Sequence, residues 1–260
     1  MSHLLGPLLA GLGISIFGFT HLFTIDAVSF LFSLLAISLV ITPFHKKQST
    51  SSSSQLHGIL EGLSYVNRNK GLKVLLLLTF INNIFIMGPA YIGLPVFVRE
   101  VLKADFFVYT QMEAAMAVGM IIGSLIFWKI SKKVTPVSLL LFGIVMDGFT
   151  YALLYFTENN ISALGVLLIH GIGIPLITVS RTTIIQLIVP DELRGRLFSM
   201  IYMAVMGTTA LSIVLTGIIL ESIGADLLFL FIGIGAASTV CIGLNPAMRQ
   251  LLSTNKIEVD

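Results

Sequence analysis

The sequence predicts an all-α polytopic membrane bundle of eight transmembrane helices, and three observations carry that prediction. The 260 residues are 56% hydrophobic and only 11% charged, with a mean hydropathy of +0.98, far from the composition of a soluble globular domain. The apolar residues gather into runs close to the ~20 residues that a helix needs to cross a bilayer. The basic residues fall in alternate connections between those runs, the pattern that an even number of crossings requires.

The first run, Leu4 to Thr20, is preceded by no Lys or Arg, the first basic residue being Lys46, so it reads as a membrane helix and not as a cleaved leader. Phe23 to Pro43 is the second. A linker from Phe44 to Gly71 begins HKKQSTSSSSQ, a flexible low-complexity stretch. Within it Leu56, Ile59, Leu60 and Leu63 recur at helical spacing beside Glu61, Asn67, Arg68 and Lys70, which predicts a short amphipathic helix at the membrane interface. Its role is either gating or, more simply, leading into the next span. Six further runs follow: Leu72 to Val98, Phe107 to Trp128, Val137 to Phe156, Ile161 to Val189, Leu197 to Leu220 and Leu227 to Asn245. The chain divides accordingly into a two-helix unit (1–43), a linker (44–71), a six-helix unit (72–246) and a tail (247–260).

Orientation follows from the basic residues. Lys46, Lys47, Arg68, Lys70, Lys73, Lys129, Lys132, Lys133, Arg194, Arg196, Arg249 and Lys256 fall on one side, and only Arg99 and Lys103 on the other. Both termini are therefore expected in the cytoplasm, in a plasma or inner membrane. The net charge of +2 is too small and scattered for a nucleic-acid surface. Cys241 is the single cysteine, which excludes a disulfide within the chain, and no CxxC or HExxH motif offers a metal site. Walker A and GxSxG patterns are also missing, so neither nucleotide-driven pumping nor enzymatic catalysis has local support, and no cofactor is expected.

Polar residues inside the spans mark where function is sought, because a charge at the bilayer centre costs roughly 2.5–3.5 kcal/mol even on lenient scales. Asp147 and Arg181 lie ~15 Å and ~12 Å from the cytoplasmic ends of adjacent antiparallel spans, a match in depth that suggests partnership. The pair reads equally as a structural bridge or as part of substrate and proton handling. Glu113 is either a titratable cavity carboxylate or an acid near enough to the outer interface to stay hydrated, and His170 reads as a hydrogen-bonded helix contact. Thr178, Thr182 and Gln186 stack at four-residue spacing around Arg181, and Thr208, Ser212 and Thr216 repeat that spacing one span later. Such stripes line an aqueous path or bond a neighbouring helix. Asn82 and Asn83 precede Pro89 and Pro95, prolines that kink a span and free its carbonyls. Gly119 and Gly123 form a GxxxG contact motif.

Several stretches resemble one family. VPDELRGRLFSM (Val189 to Met200) is similar to the VPDExRGRVFSL segment between helices ten and eleven of drug-exporter-type members of the major facilitator superfamily, the group of macrolide-efflux and enterobactin-exporter-like proteins. GPLLAGLG (Gly6 to Gly13) and FTIDAVSFLFS (Phe23 to Ser33) resemble their helices five and six, and EGLSYVNRNKGLKVLLLL (Glu61 to Leu78) their central loop and helix seven. GSLIFWKISKK (Gly123 to Lys133) sits where their basic loop lies but lacks its usual Asp-Arg pair.

The resemblance implies a partial major facilitator fold spanning helices five to twelve, with residues 1–43 belonging to the N-terminal half. It implies proton-coupled efflux of a small amphipathic compound, with Asp147 or Glu113 titrating and Arg181 tuning a carboxylate or holding an anionic group. It further implies a cytoplasmic gate of Asp191, Glu192, Arg194, Arg196, Lys132 and Lys133, and a structural role for Asp26 at a helix start. The expected partners are the lipid bilayer, protons, the substrate, and a second copy or a complementing N-terminal half. The alternative is a transport-incompetent fragment or an interaction partner of another membrane protein.

Overall fold

The computed structural model describes residues 21, 23–39 and 62–251, and every regular element among them is helical. In chain order these are α1 (Phe23–Ser38), α2 (62–68), α3 (Lys70–Gly88), a π-helical turn (Pro89–Gly93), α4 (Leu94–Glu100), α5 (Phe106–Ile130), α6 (Pro136–Leu154), α7 (Asn160–Ile188), α8 (Asp191–Ile223), α9 (Ala225–Ser238), α10 (Val240–Gly243) and α11 (Pro246–Gln250). Six of them, or continuous groups of them, are long and apolar enough to cross a membrane: Lys70–Glu100, α5, α6, α7, α8 and Ala225–Gly243. The expected count of eight is thus met only in part among the described residues. The second expected span is present as the shorter α1, while Leu4 to Thr20 and Leu56 to Glu61 lie outside the described residues.

The helices begin where the sequence supplies caps. Asn69, Asp105, Thr135 and Asn159 each accept a backbone N–H of the helix that follows, and Pro136 occupies the first turn of α6, where its missing N–H costs nothing. At the α8–α9 reversal Gly224 has a φ of 81°, a region in which a side chain would be strained. One boundary departs clearly from expectation. The DELRGR stretch is not a loop: it forms the first turns of α8, with Asp191 and Glu192 beside the positive end of the helix dipole.

In the bundle α7 lies between α5 and α6, α6 packs in turn on α9, and α3 packs on α8 and α9, leaving only slight contact between α7 and α8. Glycines set the closest crossings. A Cβ on Gly119 or Gly123 would collide with the carbonyl oxygen of Leu168 or Ile172 on α7, and one on Gly171 with that of Met116 on α5, so the GxxxG motif is a true contact face. Gly148 and Gly233 serve the α6–α9 crossing in the same way.

Two apolar clusters hold the ends. One gathers Val66, Leu72, Leu75, Ile184, Leu197 and Met248 around the α7–α8 junction. The other joins Phe97, Met112, Tyr151, Leu167 and Phe229 near the opposite end. α2 docks on the first through Val66, with Gly62 buried against Met200, whereas Leu63, expected on its apolar face, is 53% exposed. The buried face of this helix thus carries Gly62 and Val66 and is turned away from Leu63.

Candidate functional site

Asp147 on α6 is 3% exposed and His170 on α7 is 2% exposed, and the carboxylate lies 3.3 Å from Nε2 of the imidazole. Arg181, the expected partner, is not in contact with it. The short Tyr155–Asn159 connection explains why. Counted from that hairpin at 1.5 Å per residue, Asp147 is about 10 Å along α6 and His170 about 15 Å along α7, whereas Arg181 is about 31 Å away. α7 is ten residues longer than α6 (29 against 19), so their far ends are not level and depth measured from those ends misleads.

The other ring nitrogen, Nδ1, lies 2.8 Å from the Thr150 hydroxyl, and Tyr151 stacks on the ring with centroids 4.4 Å apart. Thr150 has a single hydroxyl proton, and its oxygen is also 2.8 Å and 2.9 Å from the carbonyls of Met146 and Asp147. Directed to those carbonyls, the hydroxyl can only accept from His170, which places a proton on Nδ1. The remaining bond between Nε2 and Asp147 then needs one proton, carried by either partner. Both arrangements leave the pair neutral overall, which suits a site removed from water.

A second feature lies between α7 and α8. A cavity of about 540 Å³ is lined by Arg181 and Thr182 from α7 and by Phe198, Ser199, Tyr202 and Met203 from α8, among others. Arg181 makes no hydrogen bond or ion pair among the described residues; salt bridges are seen elsewhere, at Arg99–Glu100, Asp147–His170 and Asp191–Arg194.

The other expected site residues separate by role. Thr178 and Thr182 return their hydroxyls to their own helix, at the carbonyls of Ile174 and Thr178, and Gln186 is exposed. Asn83 donates to Thr208 (2.8 Å), Thr209 (3.1 Å) and the Val205 carbonyl (3.2 Å), while Ser212 and Thr216 are buried, so the α8 stripe is a helix contact with α3. Asn82 is buried beside it with its Nδ2 unbonded. Glu113 is half-buried and accepts a hydrogen bond from Tyr109, one turn earlier on α5.

Of the six gate residues, Asp191 and Arg194 are brought together. Arg194 pairs with Asp191 and donates back to the carbonyls of Val189 and Gln186, tying the end of α7 to the start of α8. Lys132 instead lies 5.1 Å over the Trp128 ring, and both Lys132 and Lys133 are exposed. At the same end Tyr65 of α2 donates its hydroxyl to the Ile188 carbonyl at 2.7 Å, and partial burial raises its pKa above the usual 10.0.

Two groups escaped sequence reasoning. Thr150 and Tyr151 flank the Asp147–His170 pair, and the similar distances of 147 and 170 from the hairpin, about 10 Å and 15 Å, were the available signal. Ser212 was seen only as part of a stripe. Its hydroxyl accepts from the Gly88 N–H (2.7 Å) and donates to the Ile84 carbonyl, bridging two groups that an α-helix joins directly, just before the π-turn that begins at Pro89.

Six membrane-length helices packed around buried polar groups define a multi-pass membrane protein. The family profile of transmembrane secretion effectors matches residues 1–260. The chain belongs to that family, a branch of the major facilitator superfamily, which makes it a membrane transporter by kind. No curated protein matches the chain.

Proposed function

We propose that the chain works as a proton-coupled exporter of a small amphipathic compound of drug or siderophore type, in the plasma or inner membrane. The Asp147–His170 pair is the observation that carries this reading. Holding its one proton, the pair is hydrogen-bonded and ties α6 to α7. Without that proton a carboxylate faces an imidazole lone pair at 3.3 Å, two acceptors that repel. Loss or gain of a proton thus changes how two neighbouring spans attract each other, which is what coupling to a gradient requires. Glu113, bonded to Tyr109 on the adjoining α5, is the second acid available to the same process.

The test is transport in proteoliposomes with an imposed pH gradient. Asp147→Asn should abolish gradient-driven efflux while the protein stays folded in the membrane, and exchange of substrate down its own gradient should continue. Unchanged gradient-driven efflux in Asp147→Asn would refute proton coupling through this pair.

A second reading, in which the bundle works only together with another membrane chain, is favoured by the exposure of α1 on all sides and of Thr178 and Gln186 on α7. A second copy or a complementing N-terminal half would cover them. Transport that appears only on co-reconstitution with such a chain would select this reading.

A further inference from the structure

From the cavity between α7 and α8 we infer that the transported compound is an anion, held by Arg181 through a carboxylate, sulfonate or phosphate group. This assignment rests on the transporter reading and adds the charge of the substrate to it.

The argument begins with Arg181. A guanidinium does not lose its proton under any ordinary condition, so the charge is permanent, and inside a membrane protein such a charge is normally matched by an acid. Among the described residues, no acid is seen to match it. Asp147 is engaged with His170, Glu113 with Tyr109 on α5, and Asp191 with Arg194. Arg181 itself has neither hydrogen bond nor ion pair among the described residues, and it opens into a space of about 540 Å³. That volume falls within the range of small-molecule sites.

The walls supply the rest of the specificity. Thr182 and Ser199 add hydroxyl oxygens to the wall, their protons given to the Thr178 and Gly195 carbonyls of their own helices, while Phe198, Tyr202 and Met203 make the remainder aromatic and apolar. One fixed cation and a largely apolar wall fit an amphipathic anion: the head on Arg181, where two parallel N–H bonds are available, and the body against α8. A cationic amphiphile finds no counter-charge here.

The experiment uses the full chain in phosphatidylcholine nanodiscs and two fluorescent probes of one hydrophobe, 1-pyrenebutyrate and 1-pyrenebutyl-trimethylammonium. The expected result is binding of the butyrate at least tenfold tighter than the ammonium. Arg181→Gln should erase that preference by weakening the butyrate about tenfold, about 1.4 kcal/mol, and leave the ammonium unchanged, and Arg181→Lys should restore it in part. Equal affinities in the wild type, or a preference that survives Arg181→Gln, would overturn the inference. Phosphatidylglycerol is the other source of the same chemistry. Loss of butyrate binding when it is added to the nanodiscs would assign the site to a lipid phosphate and overturn the substrate assignment.

Efflux separates this inference from the reading beneath it. Gradient-driven efflux of the ammonium probe that is untouched by Arg181→Gln removes the anion assignment and keeps the transporter. Arg181-dependent butyrate binding without any efflux, also on co-reconstitution with a complementing chain, keeps the site and removes the proton-coupled export reading.

Discussion

Thr150 has one proton to give and three neighbours within reach, the carbonyls of Met146 and Asp147 and Nδ1 of His170. By satisfying a carbonyl it makes the histidine a donor at Nδ1 and leaves Nε2 to share a proton with Asp147. Thr150→Val keeps the shape and removes the acceptor, stranding a buried ring N–H, so stability in detergent should fall by about 1–3 kcal/mol. Thr150→Ser, which retains the hydroxyl, should recover most of it. Equal unfolding midpoints for Thr150→Val and the wild type would show that the hydroxyl does not fix the tautomer.

At the level of elements, the Lys70–Glu100 span is held to α8 at its weakest point. Pro89 lacks an N–H, the backbone widens into a π-turn, and Leu94 reaches back to the Pro89 carbonyl. The Ser212 hydroxyl enters where the ladder loosens, and Gly88 leaves the room for it, since a Cβ there would strike Ser212 and Thr216. Ser212→Ala should cost about 1–3 kcal/mol, because the Gly88 N–H and the Ile84 carbonyl lose their bridge. Faster amide exchange at Gly88 than in the wild type is the measurement, and unchanged exchange would mean that the two groups bond directly. The α5–α7 crossing has a different basis, backbone against backbone at Gly119, Gly123 and Gly171. Gly171→Ala should therefore force the helices apart at a cost of about 1–3 kcal/mol, seen as a lower unfolding midpoint.

For the whole molecule, the charge asymmetry predicts one orientation in the membrane. Lys129, Lys132 and Lys133, together with Arg194 and Arg196, are expected on the cytoplasmic face, and Arg99 with Lys103 on the outer one. In a Cys241→Ser background, a membrane-impermeant maleimide applied to intact cells should label Lys103→Cys at once and Lys132→Cys only after the membrane is opened. The reverse pattern would invert every statement of depth made from the basic residues.

The features legible in the chain were those that neighbouring residues decide together. Hydropathy summed over a run located six spans, capping residues such as Asn159 and Thr135 marked where helices start, and Gly119 with Gly123 announced a contact face. Asp147 and Arg181 were recognisable as functional candidates because charges are costly in a bilayer. What the chain could not reveal was which polar groups meet, since that depends on the rotation of each helix about its axis and on its register against another.

The hairpin at Tyr155–Asn159 and the unequal lengths of α6 and α7 gave Asp147 to His170 and left Arg181 in its cavity with no partner among the described residues. The packing of α3 on α8 likewise turned a polar stripe into an interface, while α7 kept part of its own stripe open. Composition and local order thus settled that the protein is a helical membrane bundle with charges inside it, and only the three-dimensional packing decided which of those charges are neutralised and which one faces a cavity.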